Sequence, residues 1–114
     1  MRNFIRVMKA LSDPSRAKII KMLEQKELCV CEITAVLGLA QSTVSKHLKI
    51  LEEADLVTYR KKGSWINYRI AADTDSDYSR TMLGNLEEWL NDDTDVQTML
   101  ARVKEVDRVR ICAA

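Results

Sequence analysis

The 114-residue sequence predicts a mostly α-helical fold with one small β-hairpin, in the order α-α-α-α-β-β-α-α. Three observations predict it. Apolar residues recur three and four positions apart along most of the chain, which is the spacing of one helical face. Between residues 56 and 70 that period gives way to β-branched and aromatic residues in partial alternation. A glycine-containing turn at residues 38–40 separates a short helical stretch from a longer one rich in small hydroxyls and lysines.

Phe4, Val7, Met8 and Leu11 place the first helix at about residues 2–11. Asp13 can cap a second helix and Pro14 suits its first position; that helix presents Ala17, Ile19, Ile20 and Leu23 and ends near Gln25. A short third helix covers roughly residues 32–37 and stops at Gly38. The fourth runs from Gln41 to about Ala54, with Val44, Leu48 and Leu51 as its apolar stripe and Ser42, Thr43, Ser45, Lys46 and Lys49 on the other face. Residues 56–60 and 65–70 form the hairpin, and Lys61-Lys62-Gly63-Ser64 make its basic tip. A hairpin directly after a helix of that kind makes a winged helix-turn-helix. A fifth helix, about residues 77–90, carries Met82, Leu86 and Trp89 as a stripe with Tyr78, Leu83 and Leu90 alongside. Residues 91–95 interrupt it and cap a last helix built on Val96, Met99, Leu100, Val103 and Val106.

Length and pattern give one domain over residues 1–114, with a DNA-reading part at about 13–72 and helices at about 2–11 and 77–108 left for dimerisation. A symmetric homodimer is the economical way to bury those terminal helices. The net charge of +1 hides a division: residues 1–72 carry a balance of +6 and residues 73–114 a balance of −5. The basic front points to a polyanion partner and the acidic back away from it. No stretch approaches the about 18 apolar residues of a membrane span, and no signal-peptide core is visible, so the expected setting is the cytoplasm with no membrane partner.

The side chains placed to contact double-stranded DNA are Gln41, Ser42, Thr43, Ser45, Lys46, His47 and Lys49 on the fourth helix and Arg60, Lys61 and Lys62 on the hairpin. Small hydroxyls and cations at a helix start suit a major groove, and a basic hairpin suits phosphates. His47, the sole histidine, has no ligand cluster around it and is read as a DNA contact or a capping residue. Two such helices in a dimer call for an inverted-repeat operator with half-sites about one helical turn apart. DNA binding calls for no cofactor. An enzyme, such as a small thiol oxidoreductase, finds little support: the chain has no glycine-rich phosphate loop and no Cys-x-x-Cys.

Cys29, Cys31 and Cys112 are too few and too unevenly spaced for a disulfide scaffold. They are candidates for metal binding, thiol redox sensing or packing. With the winged helix and the cysteine pair in place, the sequence resembles the ArsR/SmtB family of metal-responsive repressors. The resemblance is carried by Ala10-Leu11-Ser12-Asp13-Pro14-Ser15-Arg16, Glu27-Leu28-Cys29-Val30-Cys31-Glu32-Ile33, Ser42-Thr43-Val44-Ser45-Lys46-His47-Leu48-Lys49-Ile50-Leu51, and Gly63 with Asn67-Tyr68. The second of these segments resembles the metalloid box of the arsenic-responsive branch. That resemblance implies a homodimeric repressor of a metalloid resistance operon, released when As(III) or Sb(III) binds Cys29 and Cys31. Where the three-cysteine form of the box has its further thiol this chain has Thr34, and residues 77–90 lack the histidine that zinc-responsive members use. Cys112, or a small cellular thiol, is then the candidate to complete the site.

A switch can be read from backbone geometry. Residues i and i+2 lie about 200° apart around an α-helix. If Val30 and Cys31 occupy the first turn of the third helix, one ion can engage both sulfurs only by opening that turn, which supports the reading helix. A thiol redox sensor is the alternative within regulation.

Overall fold

The computed structural model describes residues 1–106. Their elements are α1 (Arg2–Leu11), α2 (Pro14–Leu23), β1 (Leu28–Cys29), α3 (Val30–Leu37), α4 (Gln41–Glu53), β2 (Val57–Lys62), β3 (Trp65–Ile70), α5 (Asp77–Glu88) and α6 (Thr94–Glu105).

Local chemistry sets most boundaries. The Asp13 carboxylate accepts the Arg16 amide at 3.1 Å and Pro14 opens α2. Ser76 and Asp93 cap α5 and α6 in the same way, through the amides of Ser79 and Val96. Gly38 ends α3 with φ 69°, a left-handed conformation that glycine adopts without strain. The tip of the hairpin is tighter than the sequence suggests: Lys62 pairs with Trp65, so only Gly63 and Ser64 form the turn, with Gly63 at φ 62°.

A three-stranded antiparallel sheet in the order β1-β3-β2 replaces the expected two-stranded hairpin. The extra strand is two residues long, and Leu28 and Cys29 pair with Tyr68 and Asn67. Two residues cannot show an alternation, and β1 exists only because β3 offers an open edge to pair with. The third helix correspondingly starts at Val30, not at residue 32.

The core lies between α2, α3 and α4, where Ile19, Ile20, Ile33, Val44, Leu48 and Leu51 are fully buried. Helix α6 closes it with Val96, Met99 and Val103, and Arg102 donates to the Val36 carbonyl at 3.3 Å. Helix α5 buries Leu83 and Leu86 as expected but adds Ser79 to its inner face and ends at Glu88, which leaves Trp89 beyond it. Trp89 is 49% exposed. The Ser79 hydroxyl donates to the Ala54 carbonyl at 2.6 Å and so fills an inward position that apolar periodicity misses. Among the described residues no helix is long and apolar enough to cross a membrane.

Candidate functional site

Helix α4 presents Gln41, Ser42, Thr43, Ser45, Lys46 and Lys49 to solvent while Val44, Leu48 and Leu51 anchor it in the core. Its N-cap, Ala40, contributes no side-chain acceptor, although its carbonyl accepts from the Thr43 amide at 3.1 Å, so the amides of Gln41 and Ser42 open the helix without a side-chain cap. His47 sits apart from this open face. It is half-buried, and its Nδ1 accepts from Arg16 at 3.2 Å, which places the ring proton on Nε2. Arg16 also donates to the carbonyls of Ala10 at 2.7 Å and Lys9 at 3.1 Å. The guanidinium therefore joins the C-terminal end of α1 to α4 through the half-buried ring of His47.

Lys61 and Lys62 stand exposed at the wing tip. Arg60 is already engaged: its guanidinium forms two hydrogen bonds, at 2.9 and 3.0 Å, to the Glu27 carboxylate. This bidentate pair is half exposed on the arginine side, a setting in which a phosphate can compete with the carboxylate.

The thiols divide between two environments. Cys29 ends β1, is 3% exposed and is the N-cap of α3 with an extended backbone. Its amide donates to Glu32 Oε1 at 2.9 Å, one half of a reciprocal capping box between the two residues. Cys31 is in the first turn of α3 and half-buried. The condition set by the sequence is met, with Val30 and Cys31 in the first turn of α3, but Cys29 stands outside the helix as its extended N-cap, so the 200° helical separation does not apply to the pair and only Cys31 is held by a helical turn. Among the described residues no three His, Cys, Asp or Glu side chains converge to hold a metal ion, and Cys112 lies outside them.

Strand register ties the thiol to the wing. Cys29 stands opposite Asn67, and Asn67 stands opposite Arg60. Opposed residues of antiparallel strands share a face, so these three side chains form one row across the sheet. The neighbouring row is Leu28, Tyr68 and Tyr59, in which the two tyrosine rings lie 5.6 Å apart. Burial, with Glu52 and Tyr59 adding to it, holds the Tyr68 phenol above its ordinary pKa, so the ring stays neutral. In the first row Asn67 is 5% exposed, and its Oδ1 is buried without a hydrogen-bond partner among the described residues. The Thr34 hydroxyl, one turn beyond Cys31, is buried without one as well. Sequence reasoning singled out neither oxygen as a site group.

A second buried polar group joins the two halves of the chain. Lys21 is fully buried within α2, and its ammonium donates to the Leu86 carbonyl at 2.6 Å and Asn91 Oδ1 at 2.9 Å while pairing with Glu24 at 2.7 Å. Three acceptors satisfy the charge.

Residues 13–59 match the family model described as "Bacterial regulatory protein, arsR family". The chain is 36% identical over 91 residues to the arsenic resistance transcriptional regulator ArsR1 of Pseudomonas putida, a match covering 76% of this chain and 71% of that protein. It is 40% identical over 68 residues to the arsenical resistance operon repressor of Escherichia coli, covering 59% of this chain and 58% of that one. Its fold is similar to the homodimeric winged helix-turn-helix DNA-binding domain Mb0332 from Mycobacterium bovis, with a TM-score of 0.65 at 29% identity over 76% of this chain and 77% of that one.

Proposed function

Because the chain belongs to the ArsR family of bacterial regulatory proteins and is a DNA-binding transcriptional repressor rather than an enzyme, we propose that it leaves its operator when As(III) or Sb(III) engages Cys29 and Cys31. The observation that carries this reading is the position of the pair: Cys29 closes a strand of the wing sheet and opens the helix that packs on α4. It acts as a homodimer on an inverted-repeat operator, with residues 13–72 reading DNA and α1, α5 and α6 forming the dimer; the last residues expected of that dimerisation part, 107 and 108, lie outside the described residues. Its place of work is the cytoplasm, where the DNA is.

Gln41, Ser42, Thr43, Ser45, Lys46 and Lys49 meet bases and phosphates in the major groove, with His47 bracing the helix from behind. Lys61 and Lys62 grip phosphate from the wing. Arg60 joins them by exchanging Glu27 for a phosphate, so the approach to β1 and the DNA compete for one guanidinium.

The effector moves this arrangement from its other end. Cys29 is extended and fixed in the sheet, so convergence of the two sulfurs falls on Cys31, which swings only if the first turn of α3 opens. Opening removes the Cys29–Glu32 capping box, a loss of about 1 kcal/mol that arsenic–sulfur bonding offsets. Effector and DNA then favour different conformers, and each weakens the other by the same factor, typically ~5–150-fold.

Cys29→Ser and Cys31→Ser should each bind operator duplex like the parent and fail to release it on arsenite addition. Fluorescence anisotropy of a labelled promoter duplex, titrated with As(III), Sb(III), Cd(II) and Zn(II), measures both properties. Release by zinc alone, or full arsenite response in both serine variants, sinks the proposal. Release by mild peroxide with no response to arsenite transfers the function to thiol redox sensing.

A further inference from the structure

Resting on the metalloid reading above, we infer that Asn67 of the wing holds the bound effector: its side-chain oxygen accepts from a hydroxyl retained on arsenic, which takes the place of a third thiolate.

Three features converge on Asn67. It is 5% exposed, and its Oδ1 has no hydrogen-bond partner among the described residues. A buried acceptor left in that state is rare and unfavourable, and each instance calls for a cause. The second feature is register. Asn67 is the direct partner of Cys29 in the β1–β3 pair, which sets the two Cβ atoms about 4.5–5.5 Å apart on one face of the sheet. The vacant acceptor therefore belongs to the nearest cross-strand neighbour of a thiol that is itself 3% exposed. The third is the Thr34 hydroxyl on α3, also buried without a partner among the described residues and one helical turn from Cys31. Each sulfur thus has beside it an oxygen whose bonding is incomplete. A small effector carrying hydroxyl groups matches that corner; a bare soft cation does not.

Arsenous acid, As(OH)3, combines a thiophilic centre with a hydroxyl that can satisfy the Asn67 oxygen. Its condensation with the Cys29 and Cys31 thiols forms two As–S bonds and breaks two As–O bonds, and each thiol proton leaves with a hydroxyl as water. Arsenic stays trivalent and keeps its third hydroxyl, which donates to Asn67 Oδ1. No further thiol is required. Asn67 also faces Arg60 across the β2–β3 pair, so an effector held by its amide sits one strand away from the guanidinium that DNA and Glu27 share.

The test uses the full chain. X-ray absorption at the arsenic edge, on arsenite-loaded parent and Cys112→Ser proteins, should give two As–S neighbours and one As–O neighbour in both. Three As–S neighbours in the parent would overturn the inference. Asn67→Leu, which replaces the amide by a side chain of similar size, should raise the melting temperature without arsenite, leave operator affinity as it was, and weaken arsenite binding roughly five- to tenfold. Asn67→Ala checks the same loss of affinity in a smaller side chain. A lowered melting temperature with unchanged arsenite affinity in both variants would make Asn67 a purely structural residue. If Cys29→Ser and Cys31→Ser also bind arsenite like the parent, the metalloid reading itself fails. If they lose it while the Asn67 variants keep it, only the role of Asn67 fails.

Discussion

Glu24 illustrates how a single buried contact carries a solution signature. Desolvation holds its carboxyl above the usual carboxylate range, opposed by the hydrogen bond and charge of Lys21 and helped by repulsion from Glu87. The folded chain therefore keeps this proton at a pH where the unfolded chain, titrating near 4.5, has lost it. Its contribution to stability is full below the unfolded value and is lost as pH rises through the folded one. Urea denaturation at a series of pH values should show Glu24→Gln flattening that part of the profile, whatever it does to absolute stability. An unchanged slope would mean that burial does not perturb Glu24. At this scale the sequence is least legible. Lys21 lies inside an apolar run, and its acceptors, Leu86 and Asn91, come from 65 and 70 residues away. Cys29 as an N-cap breaks the usual preference for Ser, Thr, Asp or Asn. Asn67 looks like an ordinary wing residue until strand register sets it against Cys29, and its buried oxygen, without a partner among the described residues, costs about 1–3 kcal/mol.

Elements with a strong period are another matter. The bounds of α1 match the expected 2–11, and α2 and α4 end within two residues of the expected positions, because a cap, a proline and a sustained apolar stripe all agree. What departed is fixed by tertiary partners: β1 by the edge of β3, and the inward position of Ser79 on α5 by its hydrogen bond to the Ala54 carbonyl. Gly38 is the junction that both levels identify. It joins α3 to α4 at φ 69° and ψ 25°, and among the described residues nothing lies within 4 Å of the position a Cβ would take. The obstacle to a side chain there is backbone strain alone. Gly38→Ala should lower stability by about 1–2 kcal/mol, and Gly38→Asn by less, because asparagine tolerates the left-handed region. Chemical denaturation supplies the comparison. Equal losses for the two variants would show that crowding, not backbone conformation, governs the turn between supporting and reading helices.

On the scale of the whole molecule, large exposed apolar side chains fall in two places. Ile50, Tyr59 and Ile66 lie on the reading helix and wing, and a second group lies on the first and fifth helices and just beyond the fifth. Ile5 is 41% exposed, Tyr78 44%, Trp89 49% and Leu90 40%. Phe4 and Tyr78 meet edge-on at 5.6 Å, joining α1 and α5 into a continuous face. Arg16 grips two carbonyls at the end of α1 and Lys21 the Leu86 carbonyl in the last turn of α5, and both cations belong to α2. Cations at helix C-termini are favourable, and here they also fix the angle between the face and α4. A second copy of the chain on this face would set two recognition helices at a defined spacing, so operator affinity should depend on the face while half-site affinity should not. Trp89→Asp tests this with little risk to the core, since the residue is half exposed. Sedimentation should show self-association weakened roughly thirtyfold or more, about 2 kcal/mol, as expected for an interface tryptophan. Binding to an inverted-repeat duplex should fall with it, and binding to a single half-site at low salt should stay near the parent value. A parent chain that sediments as a monomer while occupying the inverted repeat, or a Trp89→Asp variant that associates like the parent, would leave the apolar face without the role given to it. If both duplexes lose affinity equally, the substitution has disturbed the reading unit, and the rigid link through α2 is the part of the argument that fails.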